Sequence, residues 1–133
     1  MGGTRRMRRQ PVETPQAPKA IGPYAQAIRA DGIVYTSGQI GIDPATGALV
    51  PGGIEAQTRR VLENLKAVLA AAGSSLDRVL RVGVYLTDLG HFQAMNRIFA
   101  EYLDSYRPAR STVGVAALPM GALVEMDMIA LCD

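Results

Sequence analysis

A chain of 133 residues with a net charge of +2 is long enough for one domain and too short for two. Its hydrophobic fraction, 48%, is that of a globular protein, but aromatic residues supply only 5%, so the core has to be aliphatic. Arg5, Arg6, Arg8 and Arg9 carry +4 between them, which leaves −2 on the remainder and excludes a broad basic surface on the body.

Residues 1–16 hold those four arginines with two prolines and no periodic apolar pattern, and are expected to form a disordered tail. A nucleic-acid contact through this tail is the sharper alternative to a plain solvated extension. A single domain is expected over residues 17–133. It opens with a proline-rich entry and a short strand near Ala25 to Arg29, turning at Asp31 and Gly32. Ile33 to Ile40 is β-branched and predicts a strand, within which Gly38 marks a bulge or a close approach of the backbone. Exposure of its N–H to a ligand and simple relief of packing stand level as reasons for that glycine.

Ile54, Val61, Leu65, Leu69 and Ala72 share one side of a helix predicted over Ile54 to Ala72, which Gly73 stops. Val79 to Leu86 alternates as a strand should. Thr87 or Asp88 then caps a second helix, Leu89 to Tyr106, whose stripe of Phe92, Met95, Phe99 and Leu103 reads as core. Pro108 keeps it from continuing. His91, the sole histidine, is remote in sequence from any ligand cluster and reads as structural. Asn96, beside Met95, reads as a surface residue or one pointing into a pocket.

Arg110 to Val115 and Val124 to Leu131 read as two further strands. If they pair as a hairpin turning near Leu118 and Pro119, Thr112 lies opposite Glu125 and Arg110 opposite Asp127, within reach of both acids. Spacing alone favours a structural ion pair there. The alternative is a site: an arginine fork grips a carboxylate in two places, and a glutamate activates water.

The order of strands, helix, strand, helix, two strands predicts an α/β or α+β sandwich with two helices on one sheet face. Val124, Met126, Met128 and Ala130 line one side of the last strand, while Ile129 and Leu131 leave the other partly apolar. No third helix remains to cover that second face, so it is expected to pack against other copies of the chain. Cys132, the only cysteine, excludes an intramolecular disulfide and a cysteine-rich zinc site, and a reducing cytoplasm is the expected setting. No apolar run approaches the roughly 18 residues of a membrane span, and secretion is not expected.

Ala20 to Ala27 (AIGPYAQA), Thr36 to Ile40 (TSGQI), the Asn96 helix, Pro108 to Val113 (PARSTV) and Glu125 with Met126 together resemble the RidA family, also called the YjgF family, from about Thr14 to Leu131. The resemblance implies an α+β, chorismate-mutase-like sandwich: a mixed sheet with two helices on one face, assembled as a homotrimer with its sites between subunits. It implies a cofactor-free, metal-free enamine/imine deaminase that hydrolyses 2-iminobutanoate and 2-iminopropanoate from pyridoxal-phosphate enzymes to 2-oxo acids and ammonia. On matching positions, Arg110 would bind the substrate carboxylate and Glu125 the attacking water. Tyr24, Ser37, Gly38 and Asn96 would line the pocket, and the backbone at Thr112 would touch substrate. Thr112 stands where many members have cysteine, which excludes a thiol-dependent role there. An RNA-directed translation inhibitor or a chaperone-like holder is the family's alternative, and the body charge of −2 argues against the first.

Overall fold

The computed structural model describes residues 8–133. A mixed sheet runs in the order β1-β2-β3-β7-β5-β6. Its strands are β1 (Arg9–Val12), β2 (Ala27–Ala30), β3 (Ile33–Thr36), β4 (Gln39–Ile40), β5 (Val79–Leu86), β6 (Ala109–Gly114) and β7 (Val124–Leu131). The short β4 continues β3 along the same edge of β7. Helices α1 (Gly53–Ala71) and α2 (Phe92–Leu103) lie together on one face, as the α+β sandwich requires.

Periodicity explains which face they cover. Val61, Leu65, Val68 and Leu69 of α1 and Met95, Ile98 and Leu103 of α2 bury against Val82, Val84, Met126 and Met128 of the two central strands. Each fully buried aliphatic side chain of this set is worth about 1.5–3 kcal/mol. The core is aliphatic and methionine-rich, in keeping with the scarcity of aromatics. No helix among the described residues is long and apolar enough to cross a membrane.

Three elements depart from the sequence reading. The tail expected to be disordered to Gln16 is ordered over its second half: Arg9–Val12 pairs antiparallel with Ala27–Ala30. Only Val12 of that strand is buried, so no apolar alternation betrays it, and Pro11 is tolerated because the strand is an edge. Arg5 and Arg6 lie outside the described residues. The second helix is shorter than Leu89 to Tyr106: Leu89–His91 is a 3-10 turn begun by Asp88, whose Oδ1 accepts from the Gly90 N–H at 2.8 Å. At the other end Arg107 adopts φ 48°.

The third departure matters most. β6 and β7 are not a hairpin. β6 lies parallel to β5, as a strand-helix-strand crossover through α2 dictates, and β7 lies antiparallel on β5's other side. Thr112 therefore pairs with Val84 and Arg110 with Val82, and these in turn face Met126 and Met128.

Two buried amides tie the loops to this frame. Gln26 donates from Nε2 to the carbonyls of Thr14, Ala17 and Pro18 at 3.1, 3.3 and 2.8 Å, while its Oε1 accepts from the Thr14 N–H at 2.7 Å. Asn64, fully buried on α1, donates from Nδ2 to the Ile42 carbonyl at 2.9 Å and to that of Ile40 at 3.3 Å. It holds β4 against the helix. Replacing Asn64 by alanine leaves the Ile42 carbonyl without this donor, the Ile40 carbonyl keeping the Ile42 N–H at 2.8 Å, and is expected to lower unfolding free energy by about 1–3 kcal/mol in urea titrations.

Candidate active site

The sequence between β3 and β4 has to pass β7 with one residue too many. Tyr35 pairs with Ile129 and Gln39 with Met126, so four steps along one strand match three along the other. The extra residue makes a bulge at Ser37 and Gly38. Ser37 Oγ donates to the Ala25 carbonyl at 2.6 Å and its N–H to the Gln26 carbonyl at 2.9 Å, which fixes the bulge beside the Tyr24 loop. Tyr24 itself is exposed.

Glu125 lies in the notch thus formed. A Cβ at Gly38 would stand 2.8 Å from its Cδ, closer than atoms tolerate, so only glycine leaves room for this carboxylate. The close approach expected at Gly38 is to this side chain. Burial first, and the charge of Asp127 second, push the Glu125 carboxyl above its usual pKa range. A raised carboxyl is a stronger proton acceptor once ionised, which suits a general base.

Arg110 belongs to a different neighbourhood. It shares the helix-covered side of the sheet with Val82, where its Nη1 donates to Asn96 Oδ1 at 2.7 Å. Its guanidinium carbon sits 4.7 Å from the Phe99 ring centre and 5.4 Å from that of Phe92. Phe92, Asn96 and Phe99 follow one another along one stripe of α2, so the helix presents a flat, polar-tipped cradle to the arginine. Arg110 has no carboxylate partner among the described residues. Thr112 is on the same side, its buried Oγ1 without a hydrogen-bond partner.

The expected contact between Arg110 and the two acids is therefore absent. In paired strands, residues directly across from one another project to the same side. Glu125 pairs with Tyr85 and Asp127 with Gly83, whereas Arg110 pairs with Val82, an odd step away. One chain holds Arg110, Asn96 and Thr112 on one side of the sheet, and Glu125 with the Ser37–Gly38 bulge on the other. Asn96 points at Arg110 and is not a free surface residue. Phe92 and Phe99, which read as core from their spacing, double as the arginine's platform; their sequence signal was an aromatic stripe next to Asn96. His91 Nδ1 is buried without a partner, and no group of three or more His, Cys, Asp or Glu side chains among the described residues is arranged to hold a metal.

The family model described as endoribonuclease L-PSP matches residues 14–132. Protein DfrA of Myxococcus xanthus is 50% identical over 129 residues, covering 96% of this chain and 98% of that protein. The mouse 2-iminobutanoate/2-iminopropanoate deaminase is 43% identical over 123 residues, covering 92% and 91% respectively. The crystal structure of YyfA from Yersinia pestis, described as of the conserved Rid protein family, superposes with a TM-score of 0.91 at 49% identity. It covers 93% of this chain and 99% of its own.

The Gly38 notch yields a stability test. Gly38→Ala is expected to cost about 1–3 kcal/mol in denaturant titrations, because the new methyl must displace the Glu125 carboxylate. In an Glu125→Ala background most of that cost should vanish, giving a coupling on the order of 1 kcal/mol or more.

Proposed function

We propose that this chain, which belongs to the endoribonuclease L-PSP family that includes the RidA proteins, hydrolyses 2-imino acids such as 2-iminobutanoate and 2-iminopropanoate to 2-oxo acids and ammonia. The observation that carries the reading is the pairing of chemistries: an arginine without a carboxylate partner among the described residues, held over two phenylalanine rings and hydrogen-bonded to an asparagine, and a half-buried glutamate with a raised pKa. The name printed for the mouse relative supports the same reaction.

The two groups act on one substrate only if they come from different copies of the chain, since the sheet separates them within one. We place the site in the cleft between subunits of a homotrimer. The sheet face away from the helices supports this, because Tyr35, Val113 and Leu131 are 47%, 45% and 42% exposed there and no element among the described residues covers them.

In that site Asn96 uses one donor of the Arg110 guanidinium and leaves the others to grip the substrate carboxylate in two places. The imine carbon, electrophilic when its nitrogen is protonated, is then presented to Glu125 of the neighbouring copy. Glu125 takes a proton from water as the oxygen bonds to that carbon. The glutamate returns its proton to the nitrogen of the resulting carbinolamine; ammonia departs as the hydroxyl oxygen becomes the carbonyl and gives its own proton to the freed glutamate, which passes it on to ammonia, and the 2-oxo acid remains. Orientation and a positioned base suffice for so reactive a substrate, and the base contributes about 10²- to 10⁴-fold. Tyr24, Ser37 and Gly38 line the Glu125 side, and Thr112 the Arg110 side.

Imino acids generated by an amino-acid oxidase and followed by their disappearance test the proposal. Wild type should accelerate it; Arg110→Ala and Glu125→Gln should each lose about 10²-fold or more, and Arg110→Lys most of the activity, because an ammonium is a point charge. Co-refolded Arg110→Ala and Glu125→Gln chains should recover part of the rate, since some clefts then receive both intact side chains. Equal rates for wild type and Arg110→Ala would refute the deaminase, and absence of recovery the shared site.

A further inference from the structure

Glu125 is not the only carboxylate laid over a glycine on the open face of this sheet. Two residues further along β7, Asp127 lies over Gly83 of β5, its partner in the ladder. A Cβ at Gly83 would stand 2.6 Å from Asp127 Oδ1 and 3.0 Å from the Tyr85 hydroxyl, so a side chain there would displace the carboxylate and crowd the hydroxyl. In the space that glycine leaves, Tyr85 Oη donates to Asp127 Oδ2 at 3.0 Å. Tyr85 is in turn the ladder partner of Glu125. Tyrosine, aspartate and glutamate thus form one diagonal cluster, and the first of them fixes the second beside the third.

The charges around Glu125 can be enumerated by element. On its own strand the acid is Asp127. On β5, Tyr85 stands directly across and stays a donor, because its hydrogen bond to Asp127, and then burial, raise its pKa. Arg81, further along β5, is turned toward β6, where its Nη2 donates to Ser111 Oγ at 3.0 Å. On the β3–β4 side the residues from Thr36 to Ile40 carry no charge, and the titratable groups flanking them are Tyr35, paired with Ile129, and Tyr24 of the adjoining loop. Asp127 is accordingly the one anion among the described residues placed to act on Glu125.

We infer that Asp127, pinned over Gly83 by the Tyr85 hydroxyl, is a positioning residue that raises the basicity of Glu125. The inference rests on the reading of Glu125 as the base. A glutamate beside a fixed negative charge gives up its proton less readily and, once ionised, takes one from water more readily. Like charges two residues apart on one strand face otherwise only destabilise the fold, and here the fold supplies a glycine and a tyrosine to keep them together.

The test titrates the Glu125 side-chain carboxyl carbon by NMR in glutamate-labelled protein, with Glu125→Gln to assign the signal. Asp127→Asn keeps the acceptor for Tyr85 and removes only the charge, and its Glu125 midpoint should move to lower pH. Asp127→Ser is a second uncharged variant. Tyr85→Phe keeps the charge but removes what pins it, and its midpoint should fall less than that of Asp127→Asn. The low-pH limb of imine hydrolysis should move with the midpoint in each variant. A midpoint that stays put or rises in Asp127→Asn, or that falls equally in Tyr85→Phe, overturns the inference. A wild type without imine hydrolysis overturns the deaminase reading alone, because the titration still decides the coupling of the two acids.

Discussion

With β5 between them, β6 and β7 never touch, and the alternation of side chains across a pleated sheet does the rest. Val82 and Tyr85 of β5 are an odd number of residues apart, so the partners they select, Arg110 on one side and Glu125 on the other, must emerge on opposite faces. A one-residue shift of β7 against β5 would put both on one face, but would also turn Met126 and Met128 out of the core. The hydrophobic core therefore holds Glu125 on the face opposite Arg110.

The glycines complete the arrangement. At most positions on a sheet a side chain stands away from its neighbours, and a carboxylate there is free to be solvated. At Gly38 and Gly83 the missing Cβ lets a carboxylate lie down against the strand beside it. Lying down costs solvation, which is the larger cause of the shift at Glu125, and leaves Asp127 within reach of the Tyr85 hydroxyl. Carboxylates in such notches have little freedom to relax, a property an active site exploits by avoiding reorganisation when charge moves.

Much of this was legible in the sequence because it depends on local periodicity. Val79 to Leu86 alternates and is a strand over that range, and the apolar stripe from Ile54 identifies α1 to within a residue at each end. The alternation of Val124, Met126, Met128 and Ala130 likewise foretold the buried side of β7. What could not be read was pairing. Two strands separated by a short segment suggest a hairpin, and nothing in Val115 to Leu123 shows that the chain instead steps across β5. Buried polar residues were also hidden: Gln57, Thr58 and Asn64 interrupt the α1 pattern, yet all three are buried, and Gln57 Oε1 receives the Leu123 N–H at 2.9 Å. The individual candidates Arg110, Asn96, Gly38 and Glu125 were identifiable by type and motif. Their separation onto the two faces of the sheet is a property of the ladder and appears only in three dimensions.

The two sides of the Tyr24 loop are anchored quite differently from its middle. Gln26 grips Thr14, Ala17 and Pro18 through one amide, and Ser37 holds the Ala25 carbonyl, whereas Ile21 is 82% exposed and touches little. Segments of this kind open locally at a small fraction of the global unfolding free energy. Opening between Lys19 and Tyr24 would end abruptly at the glutamine. The loop can then exchange conformers on its own timescale, while the Ser37–Gly38 bulge keeps the rigidity of the sheet.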